Sequence, residues 1–412
     1  MKTNKLQWHP NIKFRLADSF ISSSLYNMLL PFLPLYFSEK HGTATAGILL
    51  SLYFVTGIIT NLLFGQLSDR IGRKNTLVYM GYIRTFSFFI IFINSLNIYS
   101  LDKLSYIMFL LISMSNSISS PANQALILES STNEQRRSLY SIEYWLQNLA
   151  LFLGILIGSF LYNNLIALVF FGCFVASVIS LLIALIFITE SNSSKEMNLK
   201  KQNPLKEFRD NLITISKNNK FILAILANFL LLSTELQTMN YLLLKFSDKI
   251  KEINIFNQNF LGTEFFGILR AENTLIIVFL GIFWNQFGNK FDVRKTLILG
   301  IILYAGGFSV IVGNSNPYLL FIIMLIITLG EMLYIPLKKV IIVQHIPEHN
   351  KAAYLSVNNL IPKLAAVSAS LMISFMDYIQ YDIQFSILII IFGSLGCLMY
   401  LKSVKGVNFN GN

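Results

Sequence analysis

Residues 165–188 read LIALVFFGCFVASVISLLIALIFI, an apolar run without a single charged side chain. A helix rises about 1.5 Å per residue, so a run of this length crosses the roughly 30 Å hydrocarbon core of a bilayer. Apolar and polar residues do not alternate in it, as they would in a strand of a membrane barrel. Backbone groups inside a bilayer must bond within their own segment, which a helix achieves. The run therefore predicts a transmembrane helix.

The composition of all 412 residues extends this prediction to the whole chain. Hydrophobic types make up 54% of the residues and charged types only 13%, whereas a soluble domain carries about 25% charged residues. Most of the protein surface therefore faces something other than water. The two cysteines, Cys173 and Cys397, both lie in apolar stretches, which argues against a disulfide scaffold or a metal site.

Eleven further apolar runs accompany the first, and a polar segment separates the first six from the last six. The sequence thus predicts an all-α membrane protein with twelve transmembrane helices in two six-helix bundles: residues 1–190, a cytoplasmic linker 191–220, and residues 221–412. Residues 204–208 of the linker form either a short amphipathic helix on the membrane surface or part of a solvated tether. The predicted spans are 14–38, 45–67, 76–95, 104–127, 139–162, 165–188, 221–245, 262–286, 296–313, 317–343, 354–376 and 382–401.

Lysine and arginine residues are unevenly distributed between the two sets of loops. They concentrate before the first span, after the second, in the linker and after the last span, whereas the opposite loops hold few, such as Lys40 and Lys103. By the positive-inside rule both termini lie in the cytoplasm of a cell-membrane protein. The same distribution accounts for the net charge of +11 without a nucleic-acid partner.

The two halves of the chain also repeat each other. Residues 65–77, after the second span, share Gln, two basic positions, Thr and Leu in register with residues 285–297, after the eighth span. Residues 121–127 in the fourth span match 336–342 in the tenth, each beginning with Pro. Matches in corresponding loops and spans indicate a duplicated six-helix unit, which in membrane transporters places the binding site at the repeat interface.

The loop after the second span reads Gly-Gln-Leu-Ser-Asp-Arg-Ile-Gly-Arg-Lys over residues 65–74. It resembles the signature loop of the major facilitator superfamily, G-x-x-x-D-R-x-G-R-R/K, and the resemblance covers essentially the whole chain. It implies a gating element in which Asp69 meets the N-terminus of the eleventh helix, near residues 352–355. The gating residues are then Gly65, Asp69, Arg70, Gly72, Arg73 and Lys74.

Within the superfamily the sequence is similar to the twelve-span drug:proton antiporters. Residues 28–36, MLLPFLPLY, resemble the end of their first span, and Gly330-Glu331 followed by Pro336 resembles their tenth. Two departures weaken this assignment. Ile155 stands where the fifth-span motif has proline, and residues 114–117 lack the fourth-span arginine.

Ionisable residues inside spans are costly and are therefore functional candidates. Glu331 lies in the middle of the tenth span and Glu235 in the seventh, and the resemblance implies that spans one, four, seven and ten line the cavity. A carboxyl group shielded from water can take up and release a proton near neutral pH, as proton coupling requires. The candidate cavity residues are Glu331, Glu235, Gln237, Asn240, Asn27, Asn116, Asn123, Gln124 and Tyr334.

Structural roles compete with these assignments. Glu331 has Lys338 two turns along the same helix face as an alternative partner. Arg270 and Glu272 are interpreted as structural rather than cavity-lining, and Arg84 is expected to pair with Asp18 of the first span.

The sequence predicts a secondary transporter working by alternating access, with proton-coupled efflux of amphipathic small molecules. No nucleotide-binding loop, catalytic residue set, cofactor motif or metal cluster is visible, so we expect neither ATP use nor an enzyme. The expected partners are a small-molecule substrate, protons and membrane lipid, and the expected state is a monomer. The alternatives are a transporter of a sugar or peptide, a glycolipid flippase, and a non-transporting membrane sensor.

Overall fold

The structure is a computed structural model that describes residues 8–64, 67–96, 101–190, 204–248, 252–287, 292–347, 350–378 and 382–405. Side chains are left undescribed at a few further positions, among them Asp69 and residues 281–287. The described part of the chain is built from helices and one short hairpin. The helices are α1 Pro10–Leu29, α2 Leu33–His41, α3 Thr43–Phe64, α4 Leu67–Ile71, α5 Arg73–Ser95, α6 Asp102–Glu129, α7 Asn133–Ile186, α8 Pro204–Ser216, α9 Asn219–Asp248, α10 Gly262–Phe287, α11 Val293–Val312, α12 Pro317–Gln344, α13 Lys351–Ser374 and α14 Asp382–Val404.

The chain divides into two compact units. The first comprises Met1–Pro31 and Val55–Pro204, and the second comprises Phe32–Phe54 and Leu205–Asn412. The second unit thus takes in α2 and the first half of α3. The predicted boundaries of two six-helix domains stay a prediction.

In the first unit, α1 packs along α7, and α5 packs against α6 and α7. Leu77, Leu126 and Ile188 belong to one fully packed core cluster of this unit. Asn11 links the start of α1 to the end of the unit through two hydrogen bonds. Its Nδ2 donates to Thr189 O at 3.1 Å, and Thr189 N donates to Asn11 Oδ1 at 3.0 Å. Side-chain hydrogen bonds therefore fasten both ends of this unit together.

Helix α7 covers the fifth and sixth predicted spans in one element. Its backbone is non-helical at Leu165, with φ −135° and ψ 34°, which is where the apolar run of the sixth predicted span begins. Thr132 caps its start, accepting from Gln135 N while Gln135 Oε1 accepts from Thr132 N. This capping box satisfies backbone donors that the first turn of a helix leaves free.

In the second unit, α9 packs against α13 and α14, α11 against α12 and α14, and α10 against α12. An antiparallel hairpin, β1 Glu252–Ile255 and β2 Gln258–Leu261, joins α9 to α10. Its turn residues Phe256 and Asn257 both have positive φ, the conformation that tight hairpin turns need. The sequence analysis did not predict this hairpin.

Several of these helices suit a bilayer. Among the described residues, eight stretches of helix are long and apolar enough to cross a membrane, and each predicted span lies on a described helix over most of its length. Outward positions carry large apolar side chains: Ile186, Phe279 and Ile383 are each about two-thirds exposed. In the linker, residues 191–203 lie outside the described part, and 204–216 form helix α8, which exposes Leu212 and Ile213.

Candidate functional site

A close helix contact in the second unit positions the candidate site. A Cβ on Gly330 of α12 would lie 2.5 Å from Tyr304 N and 2.7 Å from Gly300 O on α11. Both glycines therefore let the two backbones approach more closely than larger residues allow, as small residues do in membrane helix pairs. The result is that the buried rings of Tyr304 and Tyr334 pack with centroids 4.8 Å apart.

Glu235 of α9 is held at this contact by two partners from other helices. Tyr304 donates its hydroxyl to Glu235 Oε2 at 2.8 Å. Arg270 of α10 lies with Nη1 3.6 Å from Glu235 Oε1, and both side chains of this ion pair are less than a fifth exposed. Arg270 is thus paired with the carboxylate of a different helix, not with Glu272.

Glu331 lies one turn before Tyr334 on α12. Asn273 of α10 donates from Nδ2 to Glu331 Oε2 at 3.1 Å and to Thr328 Oγ1 at 2.9 Å. The charges of Glu331 and Glu235 interact with each other, and Arg270 acts on Glu331 as well. Two carboxyl groups from different helices therefore share one electrostatic environment.

Lys338 completes the arrangement without bonding to Glu331. Its Nζ donates to Asn228 Oδ1 at 3.0 Å and lies 5.3 Å from the ring centroid of Tyr334. The alternative of a direct Glu331–Lys338 pair is therefore wrong for this structure. The ammonium group still acts on both glutamates through space.

We call Glu235, Arg270, Asn273, Tyr304, Glu331 and Lys338 the carboxylate cluster. The cluster combines two carboxyl groups with two positively charged side chains. It is largely shielded from water, and an unpaired charge is costly in such surroundings. Protonating one carboxyl group therefore changes the electrostatic balance of the whole cluster.

The other candidates on α9 turn away from this cluster. Gln237 donates from Nε2 to Ser368 Oγ of α13 at 3.1 Å, and Asn240 donates from Nδ2 to Ala369 O at 3.4 Å. Steps of two and five residues from Glu235 rotate a helix position by about 200° and 140°, which explains why Gln237 and Asn240 face α13.

The four amide candidates of the first unit lie in different surroundings. Asn27 packs against Gly154 at the α1–α7 crossing. Asn116 accepts from Arg84 Nη1 at 3.5 Å, Asn123 lines a small polar cavity, and Gln124 is exposed and donates to Ser120.

The expected Arg84–Asp18 pair is wrong. Asp18 pairs with Arg15, one turn earlier on α1, at 2.5 Å. Arg84 instead donates from Nη2 to Ser180 Oγ at 2.7 Å. Its contact with Asn116 brings a guanidinium from α5 to the part of α6 where the family arginine is missing.

The signature loop is fastened to the end of the first unit. Gly72 has φ +96°, and a Cβ there would lie 2.6 Å from Glu190 Oε2. Glu190 accepts from Arg73 N at 2.7 Å and from Lys74 N at 3.1 Å, which satisfies free donors at the start of α5. The sequence analysis missed Glu190, which lies over a hundred residues away and has no local motif.

The side chain of Arg73 is buried and paired. It donates to Ser68 Oγ at 2.8 Å and to Glu129 Oε1 at 3.2 Å, while Arg70 is exposed. Gly65 and the side chain of Asp69 lie outside the described residues, so the contact of Asp69 with the start of α13 stays a prediction.

Comparisons with known proteins agree with this architecture. The family model described as Major Facilitator Superfamily matches residues 19–268. A Na(+), Li(+), K(+)/H(+) antiporter of Planococcus maritimus is 27% identical over 398 residues, 92% of this chain and 93% of that protein. The multidrug resistance protein MdtH of Klebsiella pneumoniae is 25% identical over 118 residues, 29% of each chain.

Solved structures show the same fold at low identity. The nucleoside transporter NupG superposes with a TM-score of 0.70 at 13% identity, covering 96% of this chain and 100% of that one. A POT family transporter in complex with 5-aminolevulinic acid gives a TM-score of 0.70 at 14% identity, covering 95% and 94%. Likeness at this level concerns the fold and not the cargo.

Proposed function

The chain belongs to the Major Facilitator Superfamily of membrane transporters, and from that premise we propose that it is a proton-coupled antiporter that exports a cationic cargo. The observation that carries the proposal is the carboxylate cluster. Glu235 and Glu331 come from separate helices, α9 and α12, yet lie in one shielded network with Arg270 and Lys338.

The cluster supplies the two properties that antiport requires. Neighbouring carboxyl groups shielded from water share a proton more readily than surface carboxylates do. A carboxyl group that loses its proton adds one negative charge to the cluster, which attracts a cation, so proton and cargo compete for that carboxylate. In the proposed cycle Glu331 carries the proton, and Glu235 is the positioning group whose pairing with Arg270 and Tyr304 changes with it.

The other parts of the proposal rest on the family and on the internal repeat of the sequence. Two six-helix bundles formed from twelve spans work by alternating access in the cell membrane, with both termini in the cytoplasm. The signature loop gates this movement through Arg73 and its carboxylate partner Glu129. The transporter works as a monomer.

The first candidate for the cargo is a monovalent inorganic cation. The antiporter of Planococcus maritimus, named for Na(+), Li(+) and K(+), is similar over nearly the whole chain. The second candidate is an amphipathic organic cation, favoured by the similarity to MdtH and by mixed aromatic and amide side chains on the predicted cavity spans. Sugar, peptide and glycolipid cargo, or a sensor without transport, would leave the charge balance of the cluster without a role.

Proton flux in proteoliposomes tests the proposal. Purified protein is reconstituted with a pH-sensitive dye inside acidified vesicles, and Na(+), Li(+), K(+) or ethidium is added outside. We expect cargo-dependent loss of internal protons by the wild-type protein and at least about a 100-fold slower rate for Glu331→Gln and Glu235→Gln, about 2.7 kcal/mol.

The matched control is Glu252→Gln, which removes an exposed carboxylate from the hairpin and is expected to keep the wild-type rate. Flux driven by inorganic cations alone selects the first cargo class, and flux driven by ethidium selects the second. Unchanged coupling in both cluster variants would overturn the role of the cluster, and absence of flux with every cation would overturn cationic antiport.

A further inference from the structure

A second polar region lies wholly inside the first unit, away from the carboxylate cluster. A cavity of about 330 Å³ opens between α1, α5, α6 and α7, and its lining includes Ser23, Leu25, Arg84, Phe88 and Cys173. A smaller cavity of about 150 Å³ shares Arg84 with it and contains mainly polar side chains. One guanidinium therefore borders both spaces.

The charge of Arg84 is not balanced by a carboxylate. Its hydrogen bonds go to the neutral side chains of Ser180 and Asn116, and its charged neighbours are Asp18 and Arg15. These two form their own pair at 2.5 Å, with both side chains less than a tenth exposed. In the part of the chain that the structure describes, Arg84 makes no ion pair.

Neighbouring acids do not change this balance. Asp18 also accepts from Ser22 at 3.2 Å, which uses its second oxygen. Glu143 of α7 acts on Arg15 and is not among the charged neighbours of Arg84. The Arg15–Asp18 pair is neutral as a unit, so Arg84 keeps its positive charge with no carboxylate among the described residues bonded to it.

The charge of Arg84 is costly where it lies. An arginine keeps its charge at every accessible pH, and an ionised group inside a membrane-spanning segment costs at least a few kcal/mol when nothing compensates it. The hydrogen bonds that Arg84 donates to an amide oxygen and a hydroxyl oxygen offset only part of that cost. An anion in the adjoining cavity would supply the rest.

We propose that this cavity binds a small organic carboxylate. Its carboxylate group pairs with Arg84, whose planar guanidinium offers two parallel donors, and the hydroxyl of Ser23 lies within the same lining. Its short apolar part rests against Leu25 and Phe88. A volume of 330 Å³ equals that of about ten liquid water molecules, which is room for a ligand of the size of benzoate. The proposal goes beyond cation–proton exchange, which needs no anion.

Cys173 lines this cavity, so the rate at which its thiol is alkylated can report whether a ligand is bound there. The chain has two cysteines, so Cys397→Ser leaves Cys173 alone for alkylation. Full-length protein in nanodiscs is treated with N-ethylmaleimide in sodium benzoate or in sodium chloride of equal ionic strength, and its thermal unfolding is followed in parallel. We expect benzoate to slow alkylation about fivefold and to raise the unfolding temperature, since a ligand that binds only the folded state stabilises it.

Four variants separate the site from general salt effects. Arg84→Gln is expected to lose both effects of benzoate, and Arg84→Lys to keep part of them. Ala176→Leu fills the cavity from a buried position of its lining while keeping the charge, so it too is expected to abolish both effects. Arg209→Gln, which removes an exposed arginine on α8, is expected to respond like the parent.

The outcomes decide the proposal in either direction. Equal protection in Arg84→Gln and the parent would overturn it, as would the absence of both protection and thermal shift in the parent. Chloride acting as strongly as benzoate would likewise overturn an organic carboxylate as the ligand. If Arg84→Gln shows no unfolding transition, Ala176→Leu decides, and protection that survives in it overturns the proposal.

Discussion

The two units carry polar clusters with different charge balances inside their helices. In the second unit the carboxylates Glu235 and Glu331 face the cations Arg270 and Lys338. In the first unit Asp18 pairs with Arg15, Glu143 acts on Arg15 as well, and among the described residues Arg84 makes no ion pair. Carboxyl groups gain and lose protons, whereas guanidinium groups do not. The carboxyl groups of the second unit can therefore gain or lose a proton, whereas Arg84 gives the first unit a positive charge that is fixed.

Asp18→Asn is the substitution expected to have the largest effect on stability. It removes one partner of a buried ion pair and leaves the guanidinium of Arg15 without its bonded carboxylate, which is expected to cost about 3–5 kcal/mol of stability. Thermal and denaturant unfolding of the protein in detergent measures this loss.

Asp210→Asn is the control for that variant. It breaks the Arg209–Asp210 pair, whose side chains are more than half exposed, and such pairs contribute about 0–1 kcal/mol. Equal losses in the two variants would show that the Arg15–Asp18 pair is not a fixed structural element.

Tyr304→Phe tests the role of the carboxylate cluster in the second unit. It removes the hydroxyl that donates to Glu235 and keeps the ring that packs on Tyr334. We expect about a tenfold slower proton-coupled transport, which corresponds to about 1.4 kcal/mol, with little change in unfolding temperature. The pH dependence of flux in proteoliposomes should change as well, and a change in stability alone would contradict a role in coupling.

Glu190→Ala is expected to have the smallest effect. It frees the backbone donors at the start of α5, and losing such a cap costs about 1 kcal/mol. Hydrogen exchange at residues 73–76 measures it, and Glu190→Gln, which keeps an acceptor oxygen, should show a smaller increase. An equal increase over both units would contradict a local cap.

The sequence predicted the helices well because apolar runs are a local signal. The family resemblance of residues 65–74 is confirmed by the family model. Glu235 and Glu331 lie in the carboxylate cluster, and Tyr334 packs on its member Tyr304. Each of these follows from residue type and position along a span.

Contacts between helices were harder to predict. Tyr304 was missed because its distance from Glu235 depends on how closely Gly300 and Gly330 let α11 and α12 pack. Gln237 and Asn240 were listed with Glu235 as cavity candidates, but their angular positions on α9 direct them to α13. Arg84 does not pair with Asp18 because Arg15, one turn away on the same helix as Asp18, already does.

The carboxylate of Glu190 also determines where this polypeptide can be divided. Thr189 bonds to Asn11 and Glu190 to the start of α5, so these two residues belong physically to the first unit although they border the linker. Two separately expressed fragments split after Glu190 keep these contacts within one fragment. A split three residues earlier would assign them to the other fragment, leaving α5 uncapped and α1 without its tie.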